Sequence, residues 1–200
     1  ILGRSGCGKS VTLKCIAGIL PPESGRIRLD DQTLYDSEKK INRKARERRI
    51  GYLFQNYALF PNLTVLENIC FSLKKKDRAG QAYARELLER FYLTEVADSY
   101  PAVLSGGQQQ RTAMARMLAA KPRVLLLDEP FSALDSFLRR EMEREVQEVL
   151  NNFGGVSILV SHNKEEIRRL TRRCMVMEQG KIAEIGKTEE SFAYPCSEEG

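Results

Sequence analysis

Residues 3–10 read Gly-Arg-Ser-Gly-Cys-Gly-Lys-Ser and match the pattern GxxxxGK[S/T]. In such a loop, glycine permits the backbone angles that point successive amides at a phosphate group. An apolar helix is predicted from Lys9 to Leu20, and its positive N-terminal end adds to the attraction. The pattern predicts that Lys9 contacts the β- and γ-phosphates of a nucleotide and that the Ser10 hydroxyl binds Mg²⁺. The predicted nucleotide-binding residues are therefore Gly3, Arg4, Ser5, Gly6, Cys7, Gly8, Lys9 and Ser10.

The residues on either side of this loop predict its structural setting. Ile1-Leu2 are predicted to be the last residues of a buried strand, and Pro21-Pro22 to end the helix. A strand needs about five residues. We therefore expect the chain to begin inside this strand and to be a piece of a longer protein, without its N-terminal strands.

The rest of the chain predicts an α/β core with a helical insertion. Strands are predicted at 25–29, 49–54, 124–127 and 156–160, a hairpin at 174–185 around Gln179-Gly180, and helices at 64–73, 77–91 and 136–151, with a further helix after Gly107. Thr64 and Glu67 form a capping-box pattern at the start of one helix. Strands and helices alternate at both ends, whereas residues 57–117 look helical throughout, which indicates a helical subdomain inserted into an α/β core.

Composition excludes several classes of function. The chain has 32 basic and 27 acidic residues, and acidic residues interrupt or border its basic runs, which favours a solvated surface over a nucleic-acid interface. Its five cysteines form no CxxC pair and it has one histidine, so no zinc site is predicted, and the scattered cysteines indicate a reducing compartment. No apolar run reaches the ~18 residues that span a bilayer. A membrane role is therefore expected to come through a partner.

An acidic pair follows the apolar run Val124–Leu127. Such a run is typical of a parallel strand buried on both faces, and open α/β sheets bind ligands at the carboxyl ends of these strands. We predict that Asp128 holds Mg²⁺ through water and that Glu129 is the general base that deprotonates the attacking water.

A second loop with free amides, Leu104-Ser105-Gly106-Gly107-Gln108, precedes a helix and has no lysine. Together with Gln109-Gln110-Arg111 it resembles the signature of the ATP-binding cassette (ABC) family. The other family motifs follow the same order: Gln55 resembles the glutamine loop, Ser132–Asp135 the D-loop, and His162 the switch histidine. The resemblance covers residues 1 to about 187. It implies a P-loop NTPase fold with a RecA-like core, a mostly parallel sheet and a helical subdomain, so that residues 1–200 form one nucleotide-binding domain.

The resemblance also implies a mechanism. Two such domains pair head to tail, most simply as a homodimer, and bury two ATP molecules with Mg²⁺ between them. In this arrangement ATP lies on the loop of one subunit and contacts the signature of the other, which implies nucleotide binding by Ser105, Gly106, Gly107 and Gln108. Gln55 is implied to sense the metal and the attacking water, His162 to hold the γ-phosphate, and Asp135 to bridge the subunits. The family's adenine-stacking aromatic residue lies upstream of the loop and outside this sequence.

The run Gln55–Ile69 is similar to importer ATPases for oxyanions, sugars, polyamines and iron. Such subunits lie on the cytoplasmic face of the membrane, bound to permease subunits, and act indirectly with an extracytoplasmic solute-binding protein. Tyr57, Phe60 and Pro61 are candidates for the groove that receives the permease, although ordinary packing explains them equally well. Ser161-His162-Asn163 with Gly180–Gly186 resembles molybdate and sulfate importers, and an asparagine after the histidine favours molybdate or a related oxyanion.

Two other functions share this signature. A DNA-associated ATPase of the repair or chromosome type separates the two loops by long coiled coils. Here about a hundred residues without sustained heptads separate them. A translation-linked protein would carry two tandem cassettes. Neighbouring genes for a permease and a secreted binding protein would distinguish an importer from both.

Overall fold

A computed structural model describes residues 1–73, 77–132, 134 and 136–191. The helices in these residues are α1 (Lys9–Ala17), α2 (Ala45–Arg48), α3 (Val65–Cys70), α4 (Arg78–Arg90), α5 (Gly106–Ala119), α6 (Ser136–Asn152), α7 (Lys164–Leu170) and α8 (Thr188–Ser191). The strands are β1 (Arg26–Leu29), β2 (Gln32–Asp36), β3 (Ile41–Asn42), β4 (Ile50–Leu53), β5 (Val124–Asp128), β6 (Val156–Val160), β7 (Arg173–Glu178) and β8 (Lys181–Lys187). No helix in the described part of the chain is both long and apolar enough to cross a membrane.

The chain divides into two compact units. The first comprises Ile1–Arg48 and the residues from Ile158 onward, and the second comprises Arg49–Ser157. The boundary passes through β6. The predicted helical segment 57–117 lies within the second unit, which also contains β4 and β5.

In the first unit, Ile1 and Leu2 are the strand-like entrance to the phosphate loop. Leu2 bridges in parallel to Ser161 on one side and to Val176 on the other. Its amide donates to the Met175 carbonyl at 2.9 Å, and its carbonyl accepts from the Met177 amide at 2.8 Å. The prediction that these two residues end a buried strand is confirmed, since both are buried.

The same unit contains an antiparallel sheet in the order β1-β2-β3 and the hairpin β7–β8. Sequence patterns predicted β1 and the hairpin, but not β2 or β3. The predicted hairpin turn is confirmed: Gln179 and Gly180 both adopt positive φ, at 48° and 78°. Two consecutive left-handed residues match the twist of a tight hairpin.

Helix α1 is shorter than the sequence predicted. It ends at Ala17, because Gly18 adopts a left-handed conformation (φ 79°) and its amide bonds back to the helix carbonyls. Ile19 and Leu20, assigned to the helix from their apolar character, lie beyond its end with 44% and 40% of their surface exposed. The helix therefore stops before Pro21-Pro22 is reached.

The C-terminal end of α1 is held by Arg48, an almost fully buried arginine at 1% exposure. Its guanidinium donates to the carbonyls of Cys15 and Ile16, each at 2.8 Å, and also to Arg43 and Asn42. A cation at the carboxyl end of a helix complements its dipole and satisfies carbonyls that lack partners within the helix. A side chain at position 18 would meet the same guanidinium at 2.5 Å, so Gly18 is also required by packing.

In the second unit, β4 and β5 pair in parallel, with Ile50 opposite Val124 and Leu53 opposite Leu127. Every residue of β5 is buried, as its continuous apolar run predicted. Helices α3, α4 and α5 pack on one another, and α5 also contacts β4. Gly51 permits this last contact, because a Cβ there would lie 2.6 Å from the Met117 side chain.

Three predictions of local structure need qualification. The capping box at Thr64 is confirmed, with the Thr64 hydroxyl and the Glu67 carboxylate each accepting the other's amide, but its helix ends at Cys70 rather than Leu73. The segment 57–117 is not helical throughout: Tyr57 and Ala58 adopt left-handed angles in a loop before α3. β6 was predicted as a buried strand, and its last two residues are buried while Val156 is 55% exposed.

Candidate functional site

The phosphate loop has the backbone geometry that the sequence predicted. Gly6 and Gly8 both lie in the left-handed region, at φ 82° and 98°, where side chains are strained. Gly3 is required for a different reason, since a Cβ there would lie 2.4 Å from the Met177 carbonyl oxygen. Gly8 is the N-cap of α1 and supplies no side-chain cap, and the first turn of α1 has no acidic residue. The amides at this helix terminus therefore suit an anionic group.

Lys9 is buried within this loop, with 4% of its surface exposed. Its ammonium donates to the Gly3 and Arg4 carbonyl oxygens at 2.7 and 2.8 Å and lies 3.9 Å from the Cys7 sulfur. Carbonyl dipoles hold the ammonium in the loop without cancelling its charge. A buried cation beside a helix N-terminus fits the phosphates of a nucleotide, and Ser10 in the first turn provides a hydroxyl for a metal ion.

His162 lies at the same edge of the first unit as the start of the loop. Leu2, which leads into Gly3, pairs in parallel with Ser161, which leads into His162. Because parallel strands carry their carboxyl ends at one edge, these two positions are neighbours. His162 is exposed. The structure thus brings together the predicted phosphate loop and the predicted switch histidine.

The turn that carries His162 is held by a buried acid that the sequence analysis missed. The Ser161 hydroxyl donates to the Glu166 carboxylate at 2.5 Å and accepts the Asn163 amide at 2.9 Å. Asn163 caps α7 through its side-chain oxygen, which accepts the Glu165 amide. Aspartate caps helices as well as asparagine does. Helix capping therefore explains the asparagine after the histidine, independently of any transported substrate.

In the second unit, Asp128 is the last residue of β5 and is buried, at 5% exposure. The Tyr52 hydroxyl donates to its Oδ2 at 2.7 Å. Burial, and then the hydrogen bond to Asp128, raises the pKa of the Tyr52 hydroxyl, so the phenol remains a donor. Tyr52 was not predicted to belong to the site. Its place on β4, the strand paired with β5, was the available signal.

Gln55 and Glu129 occupy matching positions beyond two paired strands. Leu53 lies opposite Leu127, and each of the two residues follows two positions later, at the carboxyl edge of β4 and β5. Glu129 adopts φ 46°, an uncommon conformation for a residue with a side chain, and its carbonyl accepts both the amide and the hydroxyl of Ser132. Backbone strain of this kind is frequent at functional sites.

The signature loop forms a second capping box. The Ser105 hydroxyl accepts the Gln108 amide at 3.3 Å, and the Gln108 side chain accepts the Ser105 amide at 2.9 Å. The pattern S-x-x-Q was visible in the sequence, but we predicted only the box at Thr64. Gly107 is packed against α6, where a Cβ would lie 3.2 Å from Leu138, whereas Gly106 is exposed. A contact of these residues with a nucleotide stays a prediction. Asp135 lies outside the described residues.

The three candidates for permease contact, in the loop that follows Gln55, differ in how exposed they are. Tyr57 is buried, at 5% exposure, and its hydroxyl donates to Gln110 at 3.4 Å, so it is a packing residue rather than a surface contact. Phe60 is 36% exposed and packs against Phe71, with the centres of the two rings 4.1 Å apart. Pro61 is exposed. The exposed aromatic surface here is therefore formed by Phe60 of the loop and by Phe71, which follows α3 and is 60% exposed.

Comparisons with known proteins agree with these motifs. A protein-family model described as ABC transporter matches residues 1–132. The sulfate/thiosulfate import ATP-binding protein CysA of Bradyrhizobium diazoefficiens is 41% identical over 204 residues, which cover 98% of this chain and 58% of that protein. The probable sulfate/thiosulfate import ATP-binding protein CysA of Chlorella vulgaris is 42% identical over 205 residues, covering 98% of this chain and 82% of that protein.

A solved structure of an ATP-binding cassette has a similar fold. It is a dimeric post-hydrolysis state of an ATP-binding cassette bound to ADP and Pi, with a TM-score of 0.76 at 30% identity, covering 94% of this chain and 83% of that one. The mixed α/β P-loop fold that the family resemblance implied is thereby confirmed. The chain belongs to the ABC transporter family, as one of its ATP-binding domains.

Proposed function

We propose that this chain is the ATP-binding and ATP-hydrolysing part of an importer subunit that acts at the cytoplasmic face of a membrane. The observation that carries the proposal is the buried Lys9 ammonium, held by the Gly3 and Arg4 carbonyls at the uncapped start of α1. That arrangement suits a polyphosphate ligand, and the matches to import ATP-binding proteins favour a role in transport. The chain covers 58% of the first of those relatives, so the remainder of a full-length protein is part of the proposal.

The individual residues have distinct roles in this proposal. Lys9 and the loop amides bind the phosphates, and the γ-phosphate is contacted by His162. Glu129 accepts the proton of the attacking water, which Gln55 orients. Asp128 and the Ser10 hydroxyl would hold Mg²⁺, whose charge stabilises the phosphate oxygens. Ser105, Gly106 and Gly107 of a second copy complete each site, with Gln108 supporting them through the capping box and Asp135 joining the subunits.

A shared site of this kind links hydrolysis to movement. The site is complete when two copies close on each other, and hydrolysis removes the group that both copies contact. We propose that permease subunits convert this opening and closing into transport, and that an extracytoplasmic binding protein delivers the solute. Phe60 and Phe71 form the exposed aromatic surface that we assign to the permease contact.

We propose a tetrahedral oxyanion of the sulfate type as the solute. The support is the sulfate/thiosulfate import assigned by name to the similar proteins. Molybdate, which Asn163 favoured in the sequence, has the same shape and charge, but the cap that Asn163 forms on α7 is equally available to aspartate. Sugars, polyamines and iron remain alternative importer substrates.

Uptake in proteoliposomes tests the proposal. The full-length subunit is reconstituted with the permease and binding protein encoded beside it, and ATP-dependent uptake of radiolabelled sulfate is measured against competing thiosulfate and molybdate. We expect uptake that requires ATP inside the vesicles and that Glu129→Gln abolishes, while Glu95→Gln, an exposed acid elsewhere in the second unit, leaves it unchanged. If molybdate inhibits sulfate uptake at a lower concentration than thiosulfate does, the transporter belongs to the molybdate class. If none of these anions is taken up, the proposed oxyanion substrate is wrong.

A further inference from the structure

The loop after Gln55 has an unusual backbone that its own sequence does not explain. Tyr57 and Ala58 are consecutive left-handed residues, at φ 59° and 44°, and neither is glycine. Each such residue costs about 1–2 kcal/mol relative to an ordinary conformation. The conformation therefore requires contacts from outside the loop that hold it in place.

Arg116 of α5 supplies those contacts. Its guanidinium donates to the Tyr57 and Ala58 carbonyl oxygens, each at 2.7 Å, and lies 5.2 Å from the centre of the Phe60 ring. The two carbonyls belong to the two left-handed residues. A planar guanidinium can bind adjacent acceptors with fixed geometry, which a lysine ammonium cannot do.

Asn68 of α3 holds the other end of the loop. It is fully buried, accepts the Phe60 amide at 2.9 Å, and donates to the Phe60, Leu63 and Thr64 carbonyls. Its Oδ1 also lies 3.4 Å from Arg116. The loop between Gln55 and α3 is therefore held by side chains of two helices, with Arg116 nearest to Gln55.

The position of Arg116 on its helix gives this contact a functional meaning. The helix α5 begins at the Ser105 cap and continues without interruption to Ala119. At a rise of about 1.5 Å per residue, Gly106 and Arg116 are roughly 15 Å apart on one stiff element. The same helix therefore connects the signature end to the two carbonyls, which lie two and three residues after Gln55.

We propose that Arg116 is a positioning residue that makes the placement of Gln55 depend on the position of the signature helix. This inference rests on the proposed function, because it needs Gln55 to orient water and Ser105 to meet the nucleotide of a second copy. It predicts that Arg116 affects the rate of the chemical step rather than the binding of ATP.

ATPase kinetics of the full-length subunit in its reconstituted transporter test this role. Arg116→Met should lower kcat by about ten- to a hundredfold, as small misplacements of catalytic groups do, with the KM for ATP changed less than about threefold. Arg116→Lys should recover part of the lost kcat, since it restores one donor. Arg111→Met is the matched control: Arg111 is also half-buried on α5, but its guanidinium binds Glu145 and Glu141 of α6.

A double-mutant cycle separates positioning from destabilisation. If Arg116 acts through Gln55, Gln55→Ala combined with Arg116→Met should be no slower than Gln55→Ala alone, while Gln55→Ala with Arg111→Met should combine multiplicatively. Multiplicative loss in the Arg116 pair, or a rise in KM without a fall in kcat, overturns the inference and leaves the proposed function standing. A normal kcat for Gln55→Ala would instead refute the role of Gln55 in the proposed function, and the inference with it.

Discussion

The Tyr52 hydroxyl donates to the Asp128 Oδ2 at 2.7 Å, so the carboxylate at the end of β5 is oriented by the neighbouring strand. Asp128 is buried and Tyr52 is partly buried, and the tyrosine keeps its proton because burial raises its pKa. The bond occupies one oxygen of the Asp128 carboxylate and thereby orients the other oxygen. The predicted metal role of Asp128 therefore depends on a residue with no charge of its own.

Tyr52→Phe removes this single hydrogen bond and keeps the ring. Residues that orient metal-binding side chains typically contribute about tenfold or more to metal affinity, so the Mg²⁺ concentration for half-maximal hydrolysis should rise by about tenfold. A magnesium titration of ATPase activity measures this. Tyr35→Phe is the control, because it removes a 2.7 Å hydroxyl bond to Pro22 in the other unit. An unchanged midpoint for Tyr52→Phe would show that Asp128 needs no such support.

Glu129→Gln tests the general base. Glutamine keeps the size of the side chain and tolerates the left-handed backbone of this position as glutamate does, so the change removes mainly the proton acceptor. Hydrolysis should fall by about 10²–10⁴-fold, while ATP binding persists and a closed dimer accumulates. Single-turnover hydrolysis and gel filtration with ATP measure the two effects. Near-normal turnover would exclude Glu129 as the base.

Lys9→Ala tests the phosphate loop. Loss of the ammonium removes a buried charge that stabilises both bound ATP and the transition state, so the dissociation constant for ATP should rise along with the loss of hydrolysis. Lys14→Ala, in the last turn of the same helix, is the control. Melting curves accompany the titration because Lys9 also binds two loop carbonyls. A folded variant with unchanged ATP affinity would contradict the site.

Mixing two inactive variants tests whether sites are shared between copies. Lys9→Ala damages the loop and Ser105→Arg the signature, so a mixed dimer places both lesions at one composite site and leaves the other intact. Activity should recover partly, since about half of randomly formed dimers are mixed by mass action. ATPase activity of the mixture, with permease subunits present, is compared with each variant alone.

The control for that experiment comes from the capping role of Ser105. Its replacement also removes a helix cap, which costs about 1 kcal/mol. Asp77→Arg removes the cap of α4, where Asp77 accepts the Gly80 amide, and should retain hydrolysis. Normal activity of Ser105→Arg by itself would mean that the signature does not complete the site.

Arg48→Met tests the support behind the phosphate loop. Methionine fills a similar volume but leaves the Cys15 and Ile16 carbonyls without their charged donor. Hydrogen bonds to charged groups contribute about 1.5–3 kcal/mol each, so the free energy of unfolding should fall by roughly 3 kcal/mol. Urea unfolding of the full-length subunit measures the loss, with Arg28→Met on the exposed surface as the control. A change below about 0.5 kcal/mol would show that water replaces the guanidinium.

Local patterns in the sequence determined the features that depend on neighbouring residues. The backbone of the glycine loop, the buried strand that leads to Asp128, the capping box at Thr64 and the turn at Gln179-Gly180 were all predicted correctly. Each depends on dihedral angles, helix periodicity or hydrogen bonds within a few residues. The end of α1 was wrong by three residues, because the apolar run continued past Gly18 and outweighed a glycine that could end the helix.

The tertiary structure alone decided how those features are supported. Arg48 reaches Cys15 across 33 positions, Arg116 reaches Tyr57 across 59, and Tyr52 reaches Asp128 across 76. Such contacts leave no periodic trace in one sequence, because a buried polar side chain finds its partner in the fold and not along the chain. The sequence therefore specified which chemical groups make up the candidate site, and the packing of strands and helices specified which residues hold them in position.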